Sequence, residues 1–402
     1  MDDDEIALTD DIDEEEDTGA STLTAEDVED VLLYTLDWSV QSLLERIGTT
    51  FNINPAFQRR DAWNIDKKSR YIESLMLGLP VPQVVLAEDN RKKGNFIVLD
   101  GKQRLVTVKQ FASPSEKFPT FKLRNMEFLA DLNKKNFSQL QESPEHGEFV
   151  ENMLAQPVRT IVVRNWKSEA VLYQIFVRLN QGSLSLSPQE LRQALFPGEF
   201  SSWINARSSE SNEIHEARRI KSEDFRMRDA EMLLRGVAFN DRLESYEGDL
   251  RKFLDDMCNY GNNTWNKNSE HFQQLADRVE LAIARTKTIF GERDFFLRYS
   301  EGRYVRRFNI AVFDAMCLVL GSPELDDSKI VENKDAIANG YKALCTDNTA
   351  FQDALKSTTK TSRATANRVI LFGSVVEQAT DTKLSVIDRA RTLAGSRETI
   401  AE

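Results

Sequence analysis

The sequence predicts an α+β protein in which a mixed α/β region is followed by an all-helical region. Two observations predict this class. Up to about residue 200, short runs of alternating apolar residues lie between runs with helical spacing, and beyond that point strand-like alternation nearly vanishes. We therefore predict an acidic leader over residues 1–27, a mixed domain over residues 28–200 and a helical domain over residues 201–402.

The leader is set apart by its charge. Residues 1–45 hold 17 of the 65 acidic residues and no Lys or Arg, so the rest of the chain carries 48 acidic against 52 basic residues. The net charge of -13 therefore describes the leader, and the body is mildly basic. Such an acidic block repels itself and buries little apolar surface, so we expect residues 1–27 to be disordered. These residues would increase the solubility of the protein. Alternatively, they would act as an autoinhibitory strip that mimics nucleic acid and covers a basic groove.

Composition also limits the cellular context. The three cysteines are scattered and form no C-x-x-C pair, which predicts buried thiols in a reducing cytoplasm: Cys258, Cys317 and Cys345. No apolar run approaches the roughly 18 residues of a membrane span. The N-terminus also lacks the basic start and apolar stretch of a secretory signal. We therefore expect a cytoplasmic protein with no membrane partner.

Local patterns place the elements of the mixed region. Alternation predicts a short strand at Phe51 and Ile53, and apolar segments between turn residues predict strands over residues 83–88, 96–99, 118–123 and 158–163. Helical spacing predicts helices over residues 39–47, 66–77 and 171–179, and a further helix directly after Asp100-Gly101. Ser187-Pro188-Gln189-Glu190 combines an N-cap residue, a proline at the first helical position and a glutamate three residues on, and so predicts another helix start.

The rear region shows helical periodicity almost throughout. Helices are predicted over residues 230–239, 272–290, 310–320, 330–344, 364–376 and 384–393. Their apolar stripes are expected to form the core.

Several kinds of chemistry are excluded by missing motifs. The chain contains no G-x-x-x-x-G-K-[ST] segment and no G-x-G-x-x-G segment that opens a helix after a strand. The three histidines lie far apart, without the spacing of metal ligands: His146, His215 and His271. Strand cleavage by this chain alone is therefore not expected.

The turn after residue 99 is the strongest candidate site. A hydrophobic strand leads through Asp100-Gly101 into a helix whose first turn holds Lys102, Gln103 and Arg104. Amide groups at a helix start favour an anion, and glycine lets backbone approach a ligand closely. Arg104 can hold two phosphate oxygens, Lys102 supplies a point charge, and Asp100 suits a magnesium ion bound with the phosphates. The alternative is that Asp100 only caps the helix and the basic residues are solvated.

Four ordered segments resemble one known family. They are residues 54–59 with Trp63, residues 72–75 with 78–82, residues 100–105, and residues 176–180 with Gly182, 186–187 and 190–192. Through these segments the chain is similar, between about residues 36 and 196, to the N-terminal domain of the GmrSD modification-dependent restriction endonucleases.

The resemblance implies a fold, a ligand and a partner. The fold would be ParB/sulfiredoxin-like, with a nucleoside triphosphate and magnesium against residues 100–104, and the activity would be hydrolysis coupled to attack on modified foreign DNA. The base of the nucleotide stays open. The implied nucleotide-binding residues are Gln58, Arg59, Gly101, Lys102, Arg104 and Asn180. The implied catalytic residues are Asp100, Gln103 and Arg104, with Asp100 also holding the metal.

The chain departs from the family pattern at two places. The family motif more usually reads Asp-Gly-Gln-Gln-Arg, so Lys102 replaces a glutamine and adds a positive charge. Many relatives carry a C-terminal histidine-metal nuclease domain, whereas this chain has helices there. We therefore expect any nuclease or modification activity to come from a separate subunit, and a homo-oligomer stays open.

Two basic patches are candidate DNA contacts. The first surrounds an aromatic residue: Arg60, Trp63, Lys67 and Lys68. The second lies around Tyr299 and Tyr304 and includes Arg298, Arg303, Arg306 and Arg307. The alternative for each patch is an ordinary solvated surface.

Three functions remain open from the sequence. The first is an NTPase component of a bacterial anti-phage restriction system. The second is a ParB-like, nucleotide-gated DNA clamp or regulator without significant turnover. The third is an antitoxin-like or structural partner with a vestigial pocket.

Overall fold

The computed structural model describes residues 25–52, 63–90, 92–116, 118–179, 187–355 and 361–395. The pattern of distances between Cα atoms divides the chain into two compact units, with the boundary between Pro197 and Gly198. We call the described residues before this point the front unit and those after it the rear unit.

The front unit combines a sheet with helices. Its elements, in chain order, are α1 (Ala25–Val28), β1 (Leu32–Ser39), α2 (Val40–Arg46), β2 (Phe51–Asn52), α3 (Ile65–Met76), β3 (Val84–Glu88), β4 (Phe96–Asp100), α4 (Lys102–Ala112), α5 (Phe137–Gln141), α6 (Gly147–Ala155), β5 (Pro157–Arg164), α7 (Glu169–Leu179) and α8 (Pro188–Leu195). The predicted class, a mixed α/β region before a helical region, is confirmed.

The described strands of the front unit form one five-stranded sheet in the order β1-β5-β3-β4-β2. Strand β2 runs parallel to β4 and β3 runs parallel to β5, whereas the β1–β5 and β3–β4 pairs are antiparallel. Helices α2, α3, α4 and α6 pack together, and α7 and α8 approach β4. The apolar core joins these helices to the sheet, as at Leu43, Ile72, Val84, Val98 and Leu105.

One strand predicted in the front unit is wrong, and one strand that the structure contains there was not predicted. Residues 118–123 do not form a strand, because only an isolated bridge joins Ser115 and Phe118. Instead Phe118, Phe121 and Leu123 bury their side chains in the core. Strand β1 was not predicted, and it lies at the edge of the sheet with most of its side chains exposed. Its exposure removes the alternation that marks a half-buried strand.

The rear unit is mainly helical. Its elements are α9 (Glu199–Glu210), α10 (Asn212–Arg218), α11 (Arg228–Arg242), α12 (Leu250–Asp294), β6 (Leu297–Ser300), β7 (Arg303–Phe308), α13 (Ile310–Leu320), α14 (Asp327–Asp347), α15 (Thr349–Ala354), α16 (Ser362–Thr380) and α17 (Ser385–Gly395). Helix α12 packs against α9, α10, α11, α13 and α14, and it is broken at Gly291, where φ is 77°.

One hairpin interrupts the rear helices. Strands β6 and β7 pair antiparallel through Tyr299 and Tyr304, and Glu301 and Gly302 both have positive φ angles at the connection. Such two-residue turns match the twist of paired strands. The prediction of an all-helical rear region therefore misses this hairpin, although the helical character of the region is confirmed.

Candidate functional site

The candidate site is the bend between β4 and α4. Strand β4 ends at Asp100, Gly101 adopts φ 97° as the N-cap, and α4 begins at Lys102. The Gly101 N–H donates to Oδ1 of Asp100 at 2.7 Å. A Cβ atom on Gly101 would lie 2.9 Å from Cγ2 of Val84 and 3.2 Å from Nη2 of Arg104. Only glycine fits this bend without strain, because both the left-handed conformation and the close packing exclude a side chain.

Arg104 lies along the same bend. Its Nη2 donates to Oδ2 of Asp100 at 2.7 Å and to the carbonyl oxygen of Gln83 at 2.9 Å. The residue is 8% exposed, and its Nε is a buried donor with no hydrogen-bond partner. Because an unsatisfied buried donor is costly, this Nε is the group at the bend with most to gain from an added acceptor.

Lys102 points to a different partner. Its Nζ donates to Oε1 of Glu190 at 3.0 Å, and both side chains are 7% exposed. Oε2 of the same carboxylate accepts the N–H of Ser187 at 2.8 Å, while Oγ of Ser187 accepts the N–H of Glu190. The predicted capping box of α8 is therefore confirmed, and its glutamate also holds the lysine of the bend. Sequence reasoning identified Glu190 only as a cap.

These pairings decide the charge of the bend. Asp100 offsets Arg104, and Glu190 offsets Lys102, so the four side chains together carry no net charge. An anion at this bend would therefore be attracted by the amides of the helix start and by the guanidinium Nε rather than by net positive charge.

The buried Lys102–Glu190 pair gives a first testable prediction. Glu190→Gln keeps an acceptor for the cap but removes the negative charge that pairs with the buried ammonium of Lys102, so we expect a loss of about 3 kcal/mol in the free energy of unfolding. Adding Lys102→Gln, which removes the buried positive charge as well, should recover most of that loss. Urea unfolding of the wild type and the three variants measures the coupling. Equal stabilities of the single and double variants would contradict a stabilising pair.

Asp100 is the residue predicted to hold magnesium. Both its oxygens already accept hydrogen bonds, and its side chain is 25% exposed. Each oxygen keeps a further lone pair, so the carboxylate fits contact with the water shell of a magnesium ion held mainly by phosphates. Direct coordination fits less well, because Arg104 Nη2 contacts Oδ2.

Several aromatic and polar side chains extend the region of the bend. Gln103 is half-buried in the first turn of α4. Burial raises the pKa of Tyr71 to about 12, and the charge of Arg104 partly opposes that rise. Tyr71 meets Trp63 edge to face, with ring centroids 5.7 Å apart, and Nζ of Lys67 lies 4.8 Å from the centre of the Trp63 ring. The structure thus links Trp63 and Lys67 to the neighbourhood of Arg104 through Tyr71.

The remaining predicted residues fall into two groups. Gln58, Arg59, Arg60 and Asn180 lie outside the described residues. Lys68 is buried, where its Nζ donates to Oε1 of Gln110 at 2.8 Å, so it lies in the core rather than on a surface patch.

The rear basic patch lies on the hairpin. Arg306 Nη1 contacts Oδ1 of Asp294 at 2.6 Å, and Arg307 is exposed. A cavity of about 280 Å³ next to the hairpin is lined by Arg298, Tyr299 and Cys345 among others.

Cysteines and metal ligands can be assessed over the described residues. All three cysteines are buried thiols, as predicted. Within the described ranges, no cluster of three or more His, Cys, Asp or Glu side chains has an arrangement that could hold a metal ion. The helices in those ranges also include none with the length and apolar character needed to cross a membrane.

The family resemblance is confirmed by comparison with known families. Residues 40–197 match the family described as the GmrSD restriction endonuclease, N-terminal domain. The match covers most of the front unit, including the β4–α4 bend and α8. Comparison with curated proteins and with solved structures gave no match.

Proposed function

We propose that the front unit binds a nucleoside triphosphate at the β4–α4 bend, as a component of a restriction system that acts on foreign or modified DNA. The observation that supports this most is the position of Arg104, whose buried Nε lacks an acceptor beside a left-handed glycine and a helix start. The match of residues 40–197 to a restriction endonuclease domain supports the part of the proposal that places this ligand in a restriction system.

The proposed contacts follow from the geometry of the bend. Amide groups in the first turn of α4 and Nε of Arg104 would bind phosphate oxygens, while Gly101 lets the phosphates approach the backbone. Gln103 would contact the terminal phosphate or its attacking water. Magnesium would be held by the phosphates and, through water, by Asp100. Gln58, Arg59 and Asn180 remain proposed pocket residues by family resemblance alone.

Isothermal titration with each of the four NTPs and magnesium tests the binding. Each charged hydrogen bond contributes roughly 1.5–3 kcal/mol, so Arg104→Ala, which removes the proposed contact of Nε, should weaken binding by roughly 10- to 100-fold. Lys109→Ala, farther along the same helix, is the matched control and should bind normally. Since Arg104 is buried, thermal melting must show that the variant remains folded. Gln103→Ala, in which the residue is only half-buried, provides a second test.

If the folded Arg104→Ala and Gln103→Ala proteins bound NTP with unchanged affinity, the β4–α4 bend would not be the binding site. Absence of binding by the wild type to all four NTPs would remove the nucleotide proposal itself.

Hydrolysis requires a separate measurement. Phosphate release by the wild type, with and without modified DNA, distinguishes an NTPase from a nucleotide-gated clamp. We expect release that DNA stimulates and that Gln103→Ala lowers. Nucleotide binding without release would favour the ParB-like clamp, and neither binding nor release would favour a structural or antitoxin-like partner.

A further inference from the structure

We propose that the cavity beside the β6–β7 hairpin binds a small organic carboxylate, a ligand separate from the nucleotide and the DNA of the proposed function. We call it the hairpin cavity and define it by six of its lining residues: Arg298, Glu301, Cys345, Thr346, Gln352 and Leu355. All six belong to the rear unit. The cavity has a volume of about 280 Å³, close to the lower limit of roughly 300 Å³ for pockets that hold small molecules.

The walls of the hairpin cavity are held by hydrogen bonds. The hydroxyl of Tyr341 on α14 donates to the carbonyl oxygen of Leu297 on β6 at 3.0 Å, which fixes the hairpin to that helix. Nε2 of Gln352 on α15 donates to the carbonyl oxygen of Thr346 at 2.7 Å, and the Thr346 hydroxyl donates to the carbonyl oxygen of Lys342 at 3.0 Å. Because these contacts already join the hairpin, α14 and α15, a ligand would enter a preformed space at little cost in conformational entropy.

Arg298 supplies the positive charge of the hairpin cavity. Its side chain on β6 is partly buried, and within the part of the chain that the structure describes its guanidinium forms no ion pair or hydrogen bond. A planar guanidinium can donate two parallel N–H groups to one carboxylate, and such charge-assisted pairs are strong. A carboxylate bound in the cavity would therefore supply the partner that Arg298 lacks among the described residues.

The acidic residue of the lining limits the charge of the ligand. Glu301 lines the same cavity at the hairpin turn, and Arg298 and Glu301 do not pair with each other. Since they are the two charged residues of the lining, the lining carries no net charge. The glutamate would repel a doubly charged phosphate ester more strongly than a singly charged carboxylate. The hydroxyl of Ser300 and the side-chain oxygen of Gln352 are available to bond the uncharged part of the ligand.

Cys345 places a chemical reporter in the same cavity. Burial raises the pKa of its thiol, while hydrogen bonds with the Tyr299 backbone and the Tyr341 hydroxyl and the positive charge of Arg298 oppose that rise. The guanidinium therefore lies near enough to favour a negative charge at this position of the cavity. The other two cysteines are buried and do not line the cavity: Cys258 and Cys317.

Alkylation of Cys345 in the full chain tests the carboxylate site. Iodoacetate and iodoacetamide are nearly equal in size, but only iodoacetate carries a carboxylate. With either reagent the thiol loses its proton to the buffer, the sulfur forms a bond to carbon, and iodide leaves with the electron pair of the broken carbon–iodine bond. Peptide mass spectrometry measures both rates at this one cysteine, and their ratio cancels the reactivity of the thiol itself.

Arg298→Gln should lower the ratio of the iodoacetate rate to the iodoacetamide rate by roughly tenfold, the effect of one charged hydrogen bond. The side chain is only partly buried, so the variant is expected to fold, and thermal melting checks this. Glu301→Gln should raise the ratio, because it removes the negative charge that opposes the carboxylate.

The matched control is Lys334→Gln, which removes an exposed positive charge from α14, the helix of Cys345. Lys334 lies 11 residues before the cysteine and so roughly 16 Å from it along the helix. This variant should keep the ratio of the wild type. An unchanged ratio in folded Arg298→Gln, or an equal fall in Lys334→Gln, would overturn the proposal.

Protection by acetate measures binding without a reaction, since acetate carries the carboxylate but not the reactive carbon. At equal ionic strength, acetate should slow the labelling of Cys345 by iodoacetamide in the wild type but not in Arg298→Gln, and inorganic phosphate should protect less. Stronger protection by phosphate than by acetate would show that the ligand class is wrong. Failure of both reagents to label Cys345 would show that small molecules do not enter the cavity and would also overturn the proposal.

Discussion

Replacing Glu73 with alanine is expected to destabilise the front unit by about 4 kcal/mol, because three backbone donors would lose their acceptor. The Glu73 side chain is buried on α3. Its Oε1 accepts the N–H groups of Phe128 and Leu129 at 2.7 Å, and its Oε2 accepts the N–H of Glu127 at 3.0 Å. One carboxylate thus holds the segment that precedes the turn at residues 130–132.

Matched substitutions can separate the three hydrogen bonds from a general effect of mutation. Glu73→Gln keeps one carbonyl oxygen, so it should lose less stability than Glu73→Ala. Glu145→Ala removes an exposed carboxylate from the same unit and should change stability by less than about 0.5 kcal/mol. Urea unfolding measures all three variants. Equal stability of Glu73→Ala and Glu145→Ala would show that these hydrogen bonds contribute nothing net.

Separating Arg235 from Asp314 is expected to destabilise the rear unit by about 3–5 kcal/mol, since one buried charge would remain without its partner. Nε of Arg235 donates to Oδ1 of Asp314 at 3.1 Å, and its Nη2 donates to Oδ2 at 2.5 Å. Both side chains are 3% exposed. The contact joins α11 to α13, so it holds two helices of the core together.

Chemical unfolding of Arg235→Met, Asp314→Leu and the double variant tests this pair. We expect each single variant to be much less stable than the wild type, and the double variant to lose less stability than the sum of the two single losses, since it removes both charges of the pair. Glu231, whose Oε1 lies 3.7 Å from Nη1 of Arg235, loses that contact in Arg235→Met and in the double variant alike. Arg251→Met, at a half-buried position on α12, is a control for loss of an arginine. Losses that simply add in the double variant would contradict a coupled pair.

Local patterns predicted the parts of the fold that local chemistry determines. The apolar run ending at Leu99, followed by Asp100-Gly101, predicted the strand, bend and helix of the candidate site, because glycine and helix starts carry their own signals. The capping box at Ser187 was predicted for the same reason. Strand β1 gave no such signal, since its exposed edge position imposes no alternation.

Local sequence patterns do not predict which residues make contact when they lie far apart in the sequence. Lys102 and Glu190 are 88 residues apart, so nothing in either neighbourhood indicates their ion pair. Glu73 similarly looks like an ordinary polar residue of an amphipathic helix until the segment at residues 127–129 is placed against it. The hairpin was missed because Arg303, Arg306 and Arg307 lie at i, i+3 and i+4, the spacing of one charged helix face. The Glu301-Gly302 turn was the available signal.

Glu190 couples the β4–α4 bend to the start of α8, because its carboxylate bonds to both. One carboxylate receives Lys102 on one oxygen and closes the first turn of α8 on the other. We expect any anion that draws the lysine away to leave more negative charge facing Ser187 and so to tighten the beginning of that helix. Binding of an anion at the β4–α4 bend would then change the rigidity of α8. This helix ends at Leu195, two residues before Pro197, where the front unit ends.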